Sequence, residues 1–185
     1  DDVQIGIPGF EDEQKRVIAG TVNGVRIINL YVVNGQDVGT DKYDYKLRWL
    51  DALAVWLEEE LAKYPQLALC GDYNIAPDDR DVHDPQRWAG KILCSEPERA
   101  AFQAFLDDGY TDLARPFTAD PQIYTYWDYY RARAVRNRGL KIDFVLGSPS
   151  FADRVTGAFI DRDERLDESK PGPSDHAPVI VDLAG

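Results

Sequence analysis

Between Val17 and Cys70 the hydrophobic period of the chain changes twice, and this restricts the fold more than any other feature. Val17-Ile18-Ala19-Gly20-Thr21-Val22 and Val25-Arg26-Ile27-Ile28-Asn29-Leu30-Tyr31 are rich in β-formers and are separated only by Asn23-Gly24. A tight hairpin turn needs positive φ at both central residues, which Asn-Gly supplies at little steric cost, so the pair predicts an antiparallel hairpin. From Asp41 to about Tyr64 the period lengthens. Leu47, Leu50, Leu53, Ala54, Leu57 and Leu61 recur at helical spacing and form one apolar stripe, with Glu58, Glu59 and Glu60 mostly on the solvated side. Pro65 cannot continue a helix and ends it. Leu67-Ala68-Leu69-Cys70 then reads as a short buried strand that runs straight into the loop Gly71-Asp72-Tyr73-Asn74.

The remaining elements follow the same logic. Ser95 and Glu98 have capping-box spacing at the head of a second helix that runs to Asp108, and Gly109 stands at its C′ position. Ile142–Leu146, Val155–Ile160 and Pro178–Leu183 read as strands. Asp1–Gln14, Val32–Thr40 and the Pro-, Asp- and Gly-rich Ala76–Cys94 read as loops. Strands that alternate with helices beside a hairpin predict an α/β chain with a mixed sheet and helices packed on one face. A chain of 185 residues, 44% hydrophobic, suffices for one domain with a real core. No apolar run approaches the ~20 residues of a membrane span. Two cysteines in a chain this size make no disulfide framework, so Cys70 and Cys94 are expected to be reduced thiols of a cytoplasmic protein. The net charge of −12 argues against a basic nucleic-acid coat but not against a nuclease, because a cation site needs clustered carboxylates.

Polar groups follow apolar strands at three places. Asp72 and Asn74 follow Leu67–Cys70, Asp143 lies in Ile142–Leu146, and Asp175 and His176 precede Pro178–Leu183. Strand ends are where α/β sheets gather ligands. Two or three carboxylates and an amide suit a hard cation such as Mg²⁺, and a histidine beside a carboxylate can move a proton at neutral pH. Metal, base and phosphate together would hydrolyse a phosphodiester. Each residue also has a plainer reading: Asp72 and Asn74 as an Asx turn, Asp175 as the cap of the turn through Pro173 and Ser174, and His176 as a structural histidine.

The combination is more specific than its parts. Gly71-Asp72-Tyr73-Asn74, then Asn137-Arg138-Gly139-Leu140-Lys141-Ile142-Asp143, then Pro173-Ser174-Asp175-His176-Ala177-Pro178-Val179, resemble in order and spacing the exodeoxyribonuclease III family of the endonuclease–exonuclease–phosphatase superfamily. Asn29–Gly35, Asp78–Pro85 and Thr125–Tyr129 resemble further stretches of its DNA-repair branch, although Val33 stands where that family usually has proline. The resemblance implies a four-layer α/β sandwich of two similar halves, Mg²⁺ or Mn²⁺ as cofactor, and double-stranded DNA with abasic sites or 3′ ends as substrate. It implies that Asp72 activates the attacking water, with Asn74 at the scissile phosphate. Asp143 would orient His176, and Asp175 would ligate the metal. Tyr31 would steady the phosphate or the leaving oxygen, with Asn34 close by on the DNA side. Family members also carry an N-terminal Asn and a metal-ligand Glu that have no counterpart here. The chain, which contains no methionine, is therefore expected to be a C-terminal portion, inactive or nearly so, with an apolar face open to self-association.

Arg131, Arg133, Arg136, Arg138 and Lys141 crowd one segment of an otherwise acidic chain, preceded by Trp127, Tyr129 and Tyr130. By composition this is as consistent with a solvated loop of paired charges as with a DNA grip. The resemblance favours DNA, with Trp127, Arg131, Arg136, Asn137 and Arg138 as contacts. Two other readings stand beside the nuclease: a superfamily phosphatase acting on lipid or inositol phosphates, and a nucleic-acid-binding relative without catalysis. The five residues Asp72, Asn74, Asp143, Asp175 and His176 speak against the second.

Overall fold

A computed structural model describes residues 1–118, 122–167, 169 and 172–184. Its strands are β1 (Gln4–Ile5), β2 (Val17–Val22), β3 (Val25–Tyr31), β4 (Leu67–Asp72), β5 (Thr111–Asp112), β6 (Asp143–Gly147), β7 (Val155–Ile160) and β8 (Val179–Leu183). Its α-helices are α1 (Asp41–Lys63), α2 (Pro85–Trp88), α3 (Glu96–Asp107), α4 (Pro149–Ala152) and α5 (Arg162–Leu166). The main sheet has the order β1-β2-β3-β4-β6-β5, and β7 and β8 form a separate antiparallel pair. Only β3 and β4 run parallel in the main sheet, because α1 carries the chain back between them. The expected mixed α/β architecture is what is found.

The hairpin forms as Asn23-Gly24 dictates, with Val22 paired to Val25 and φ of 50° and 80° at the turn. The Thr40 hydroxyl caps α1 by accepting from the Tyr43 N–H. Ser95 and Glu98 close the expected capping box at α3. One face of the sheet, with Val17, Ala19, Ile28, Leu30, Leu69, Phe144 and Leu146, packs on α1 and α3 through Leu50, Leu53, Trp56, Phe102 and Phe105. Burying a large apolar side chain of this kind contributes roughly 1.5–3 kcal/mol. Trp49 and Trp56, seven residues apart on α1, also belong to this core.

The other face differs along its width. Around Ala68 and Val145 the β7–β8 pair covers it through Val155 and Val181. Towards β1 and β2 it is open, with Ile5 65%, Ile18 50% and Tyr31 50% exposed. That open face is also the face on which the polar row described next stands. Pleating sets this row, since alternate residues of β3, β4 and β6 point to opposite sides. The loop expected over Ala76–Cys94 is more ordered than its composition indicates. A capping box on Asp78 and Asp81 and the N-cap Asp84 fold it into one 3₁₀ turn and α2.

Candidate active site

Register aligns the site. Tyr31 is the ladder partner of Asp72 across the parallel β3–β4 pair, and Asp72 is the partner of Asp143 across the antiparallel β4–β6 pair. Three functional side chains thus stand in one row on adjacent strands, about 5 Å apart. Gly71 makes the row possible. Its φ is +139°, and a Cβ there would lie 1.9 Å from the Leu30 carbonyl oxygen. A side chain at position 71 would therefore push β3 and β4 apart.

His176 joins the row from the loop before β8. Its Nδ1–H donates to Asp143 Oδ2 at 2.8 Å, leaving Nε2 for chemistry. Tyr126 bridges backbone with His176, and the two rings lie 5.0 Å apart. Asp143 is held in turn by Thr125, a fully buried residue whose hydroxyl accepts from the N–H groups of Ile142 and Asp143. Asn74 is buried with a φ of 48°. Its amide N–H donates to Asp72 Oδ1, and its Nδ2 donates to Val32 O and to Asp72 Oδ2. Asn34 Nδ2 donates to Asn74 Oδ1 at 3.0 Å, so the loop after β3 and the loop after β4 meet side chain to side chain. The Asx turn is real, and it presents Asp72 and Asn74 together rather than excluding a functional role.

Burial and the Asp143 charge push the Asp72 carboxyl from 3.8 up to about 7, against the pull of the Asn74 N–H, His176 and Lys46. Burial draws His176 down, but its hydrogen bond to Asp143 and the charges of Asp143, Asp72 and Asp175 outweigh this, and its pKa is raised. Crowded carboxylates beside an imidazole call for positive charge. One ligand atom from each of Asp72, Asp143 and His176 lies within 4.8 Å of the other two, so these residues fit a cation. Asp175 stands beside that trio and not in it. Its carbonyl accepts from the Trp127 N–H, and its charge reaches His176.

The two longest motifs turn out to be parts of one another's fold. Val82 bridges Leu140, the His83 N–H donates to Gly139 O, and the Lys141 N–H donates to Asp81 O. Asp81 is fully buried and takes two hydrogen bonds from Arg115 at 2.8 and 2.9 Å. Lys141 is buried against Asp112 at 2.8 Å, so it is removed from the basic patch that the sequence implied.

One expected DNA contact is also corrected. Trp127 is fully buried, because its indole fills the space between Tyr124, Ala134 and Ala177 and donates to Asn137 Oδ1 at 3.2 Å. Asn137, half-buried, donates from Nδ2 to Gln122 O and takes the positive φ, 49°, that closes the loop. Both are the frame of the arginine loop. What that loop exposes is Arg131, Arg136 and Arg138, together with Tyr130 at 56% and Val135 at 69%. Sequence reasoning did not connect His83, Arg87, Trp88, Lys91 and Arg133, which line one cleft of about 210 Å³. The proximity of Trp88 and Lys91 on one short helix and its exit was the available signal.

The sequence pattern of the endonuclease/exonuclease/phosphatase family matches residues 3–176. The chain belongs to that family. Among relatives, exodeoxyribonuclease III of Haemophilus influenzae is 33% identical over 185 residues, which span 94% of this chain and 68% of that protein. A Neisseria 3′ phosphatase solved with a product DNA hairpin superposes with a TM-score of 0.95 at 42% identity, covering all of this chain and 71% of the other. An AP endonuclease from Archaeoglobus fulgidus gives 0.90 at 32%, covering 99% of this chain and 70% of the other. The first curated relatives are matched over 63–68% of their own length. Endonuclease/exonuclease/phosphatase membership agrees with the fold and with a site built on the ends of β3, β4 and β6. Among the described residues no helix is long and apolar enough to cross a membrane.

Proposed function

We propose that this chain carries the acid–base and phosphate-gripping part of a Mg²⁺-dependent DNA phosphodiesterase of the exodeoxyribonuclease III type, with Mn²⁺ as a substitute. Its substrates would be duplex 3′ ends and abasic sites, and its compartment the cytoplasm, where Cys70 and Cys94 stay free thiols. The observation that carries this reading is the row Tyr31–Asp72–Asp143 completed by the Asp143–His176 hydrogen bond.

In this reading Asp72, ionised, takes the proton of the attacking water as its oxygen bonds to phosphorus. Asn34 offers its second Nδ2 proton to the phosphate, while Asn74, whose Nδ2 protons go to Val32 O and Asp72 Oδ2, holds Asp72 and Asn34 in place. Tyr31 faces the oxygen that leaves as the second P–O bond breaks and takes a proton from solvent water. His176, turned by Asp143, donates from Nε2 to the phosphate. Positioning and charge neutralisation dominate such transfers, so fixed donors matter more than covalent chemistry. A divalent cation held by carboxylates of this group, with Asp175 as a further ligand, would neutralise phosphate charge when bound. Arg131, Arg136, Arg138 and the cleft at Arg87, Lys91 and Arg133 would take flanking phosphates, with Tyr130 and Val135 as wedges.

The chain alone is expected to bind duplex DNA and to cleave it weakly at most, and its open face near Ile18 is expected to self-associate. The test is a duplex with one abasic site, assayed for binding and for Mg²⁺-dependent incision by the chain and by His176→Ala. Salt-sensitive binding, with any incision lost in the variant, supports the reading. Absence of duplex binding, or incision that survives His176→Ala, overturns it.

A further inference from the structure

Lys46 is fully buried in α1, and its ammonium has three protons to place. Nζ donates to Asn74 O at 2.7 Å, to Asn34 O at 3.2 Å and to the Glu98 carboxylate. No donor is left over, and every acceptor belongs to a different segment. Asn34 lies in the loop after β3, Asn74 in the loop after β4, and Glu98 in the first turn of α3. Glu98 is equally committed, since it also accepts from the N–H groups of Leu93 and Ser95 and from the Ser95 hydroxyl.

A buried ion pair of this kind is seldom kept for stability, because desolvation offsets most of the attraction. A buried leucine or methionine would fill α1 equally well. What an ammonium does that an apolar group cannot is draw two carbonyl oxygens to one point. Those carbonyls belong to Asn34 and Asn74, whose side chains hydrogen-bond to each other. Asn74 also sits at a φ of 48°, a conformation that needs support in a residue other than glycine.

We propose that Lys46 is a positioning residue that pins the Asn34 and Asn74 backbones together and so fixes the pair of amides beside Asp72, of which Asn34 faces the scissile phosphate. Glu98 anchors the pin by orienting its ammonium. The catalytic part of this statement rests on the proposed phosphodiesterase activity, whereas the geometric part does not.

The experiment compares Lys46→Met, Lys46→Arg and Glu98→Gln with Leu53→Ala, a core truncation on the same helix outside the Lys46 hydrogen-bond set. Two readouts are taken on the full chain: the side-chain amide resonances of Asn34 and Asn74, and turnover separated into kcat and KM on an abasic-site duplex. Lys46→Met, folded by circular dichroism, is expected to shift both amide resonances by more than their linewidth. It should also lower kcat on the order of a hundredfold, as displaced reacting groups do, with KM little changed. Lys46→Arg and Glu98→Gln should fall between Lys46→Met and the unaltered chain, and Leu53→Ala should lose stability without either effect. Unmoved resonances in a folded Lys46→Met, or equal shifts in Leu53→Ala, would overturn the proposal. If the unaltered chain neither binds nor cleaves DNA, the enzymatic reading falls while the resonances still decide the role of Lys46.

Discussion

Asp72 carries an electrostatic conflict. Its carboxyl is displaced upward from 3.8 to about 7, first by burial and then by Asp143. The folded state therefore holds this proton more tightly than the unfolded state does. The resulting penalty is absent below about pH 4, grows as pH rises and is complete above about pH 7. Three units correspond to at most about 4 kcal/mol at high pH. Asn at this position keeps an acceptor for the Asn74 N–H and carries no charge. Without divalent cation, Asp72→Asn is expected to raise the melting temperature at pH 8 by roughly 5 °C and to leave it unchanged at pH 4. Millimolar Mg²⁺ should then close the gap by stabilising the native chain and not the variant. Thermal melts at the two pH values, with and without Mg²⁺, check both parts. An unstable variant at pH 8 would show that Asp72 is held by attraction and not by crowding. The same ionisation governs chemistry in the proposed mechanism: incision should rise with pH through about 7 at low cation concentration and at lower pH once cation saturates the site.

At the scale of elements, local signals and long-range ones separate cleanly. The β2–β3 hairpin, α1 and the α3 capping box were readable because each is decided within a few residues by turn chemistry, period or a cap. The candidate site was readable for a different reason, since Asp72, Asp143 and His176 sit at strand ends and in motifs whose order resembles a family. What sequence could not give is partnership across the chain. Lys141 looks like one more cation of a basic run, but Asp112 claims it from 29 residues away. Trp127 looks like an exposed aromatic until Asn137, Ala134 and Ala177 close around it. The docking of the 78–85 segment on the 137–143 segment was equally invisible, and it makes a prediction. A Cβ on Gly139 would meet Trp127 Nε1 at 2.5 Å and both Tyr124 Cβ and Tyr126 O at 2.7 Å. Gly139→Ala is expected to cost about 2–3 kcal/mol in urea unfolding, as overpacked sites do. Because the same contacts frame the arginine loop, duplex affinity should drop as well. Loss of stability with unchanged affinity would separate the loop from the motif at its base.

For the whole molecule, the proposed function asks a chain of net charge −12 to hold a polyanion. At physiological salt, charges beyond about 8 Å are largely screened, so local arrangement outweighs the total. The exposed cations are not spread evenly. Arg131, Arg136 and Arg138 lie on one loop, and Arg87, Lys91 and Arg133 line the adjoining cleft. Backbone bridges run from Val82 to Leu140, from Leu140 to Tyr126 and from Tyr126 to His176. At about 5 Å per bridged pair, the cleft stands on the order of 15 Å from His176, and at about 3.4 Å of rise per nucleotide this is roughly four nucleotides. On the proposed function, a duplex engaged at His176 that also lies along the cleft would release counterion for each phosphate neutralised there. Arg87→Ala and Lys91→Ala are each expected to lower the slope of log affinity against log salt by about 1 for any duplex sequence. Leaving the Asp143–His176 pair untouched, they should change incision only through binding. The control is Lys63→Ala at the far end of α1, an exposed cation paired with Glu59, which should leave the slope as it is. A slope unchanged by the cleft variants would mean that duplex crosses the arginine loop alone, and the acidic remainder of the surface would then have to lie clear of its path.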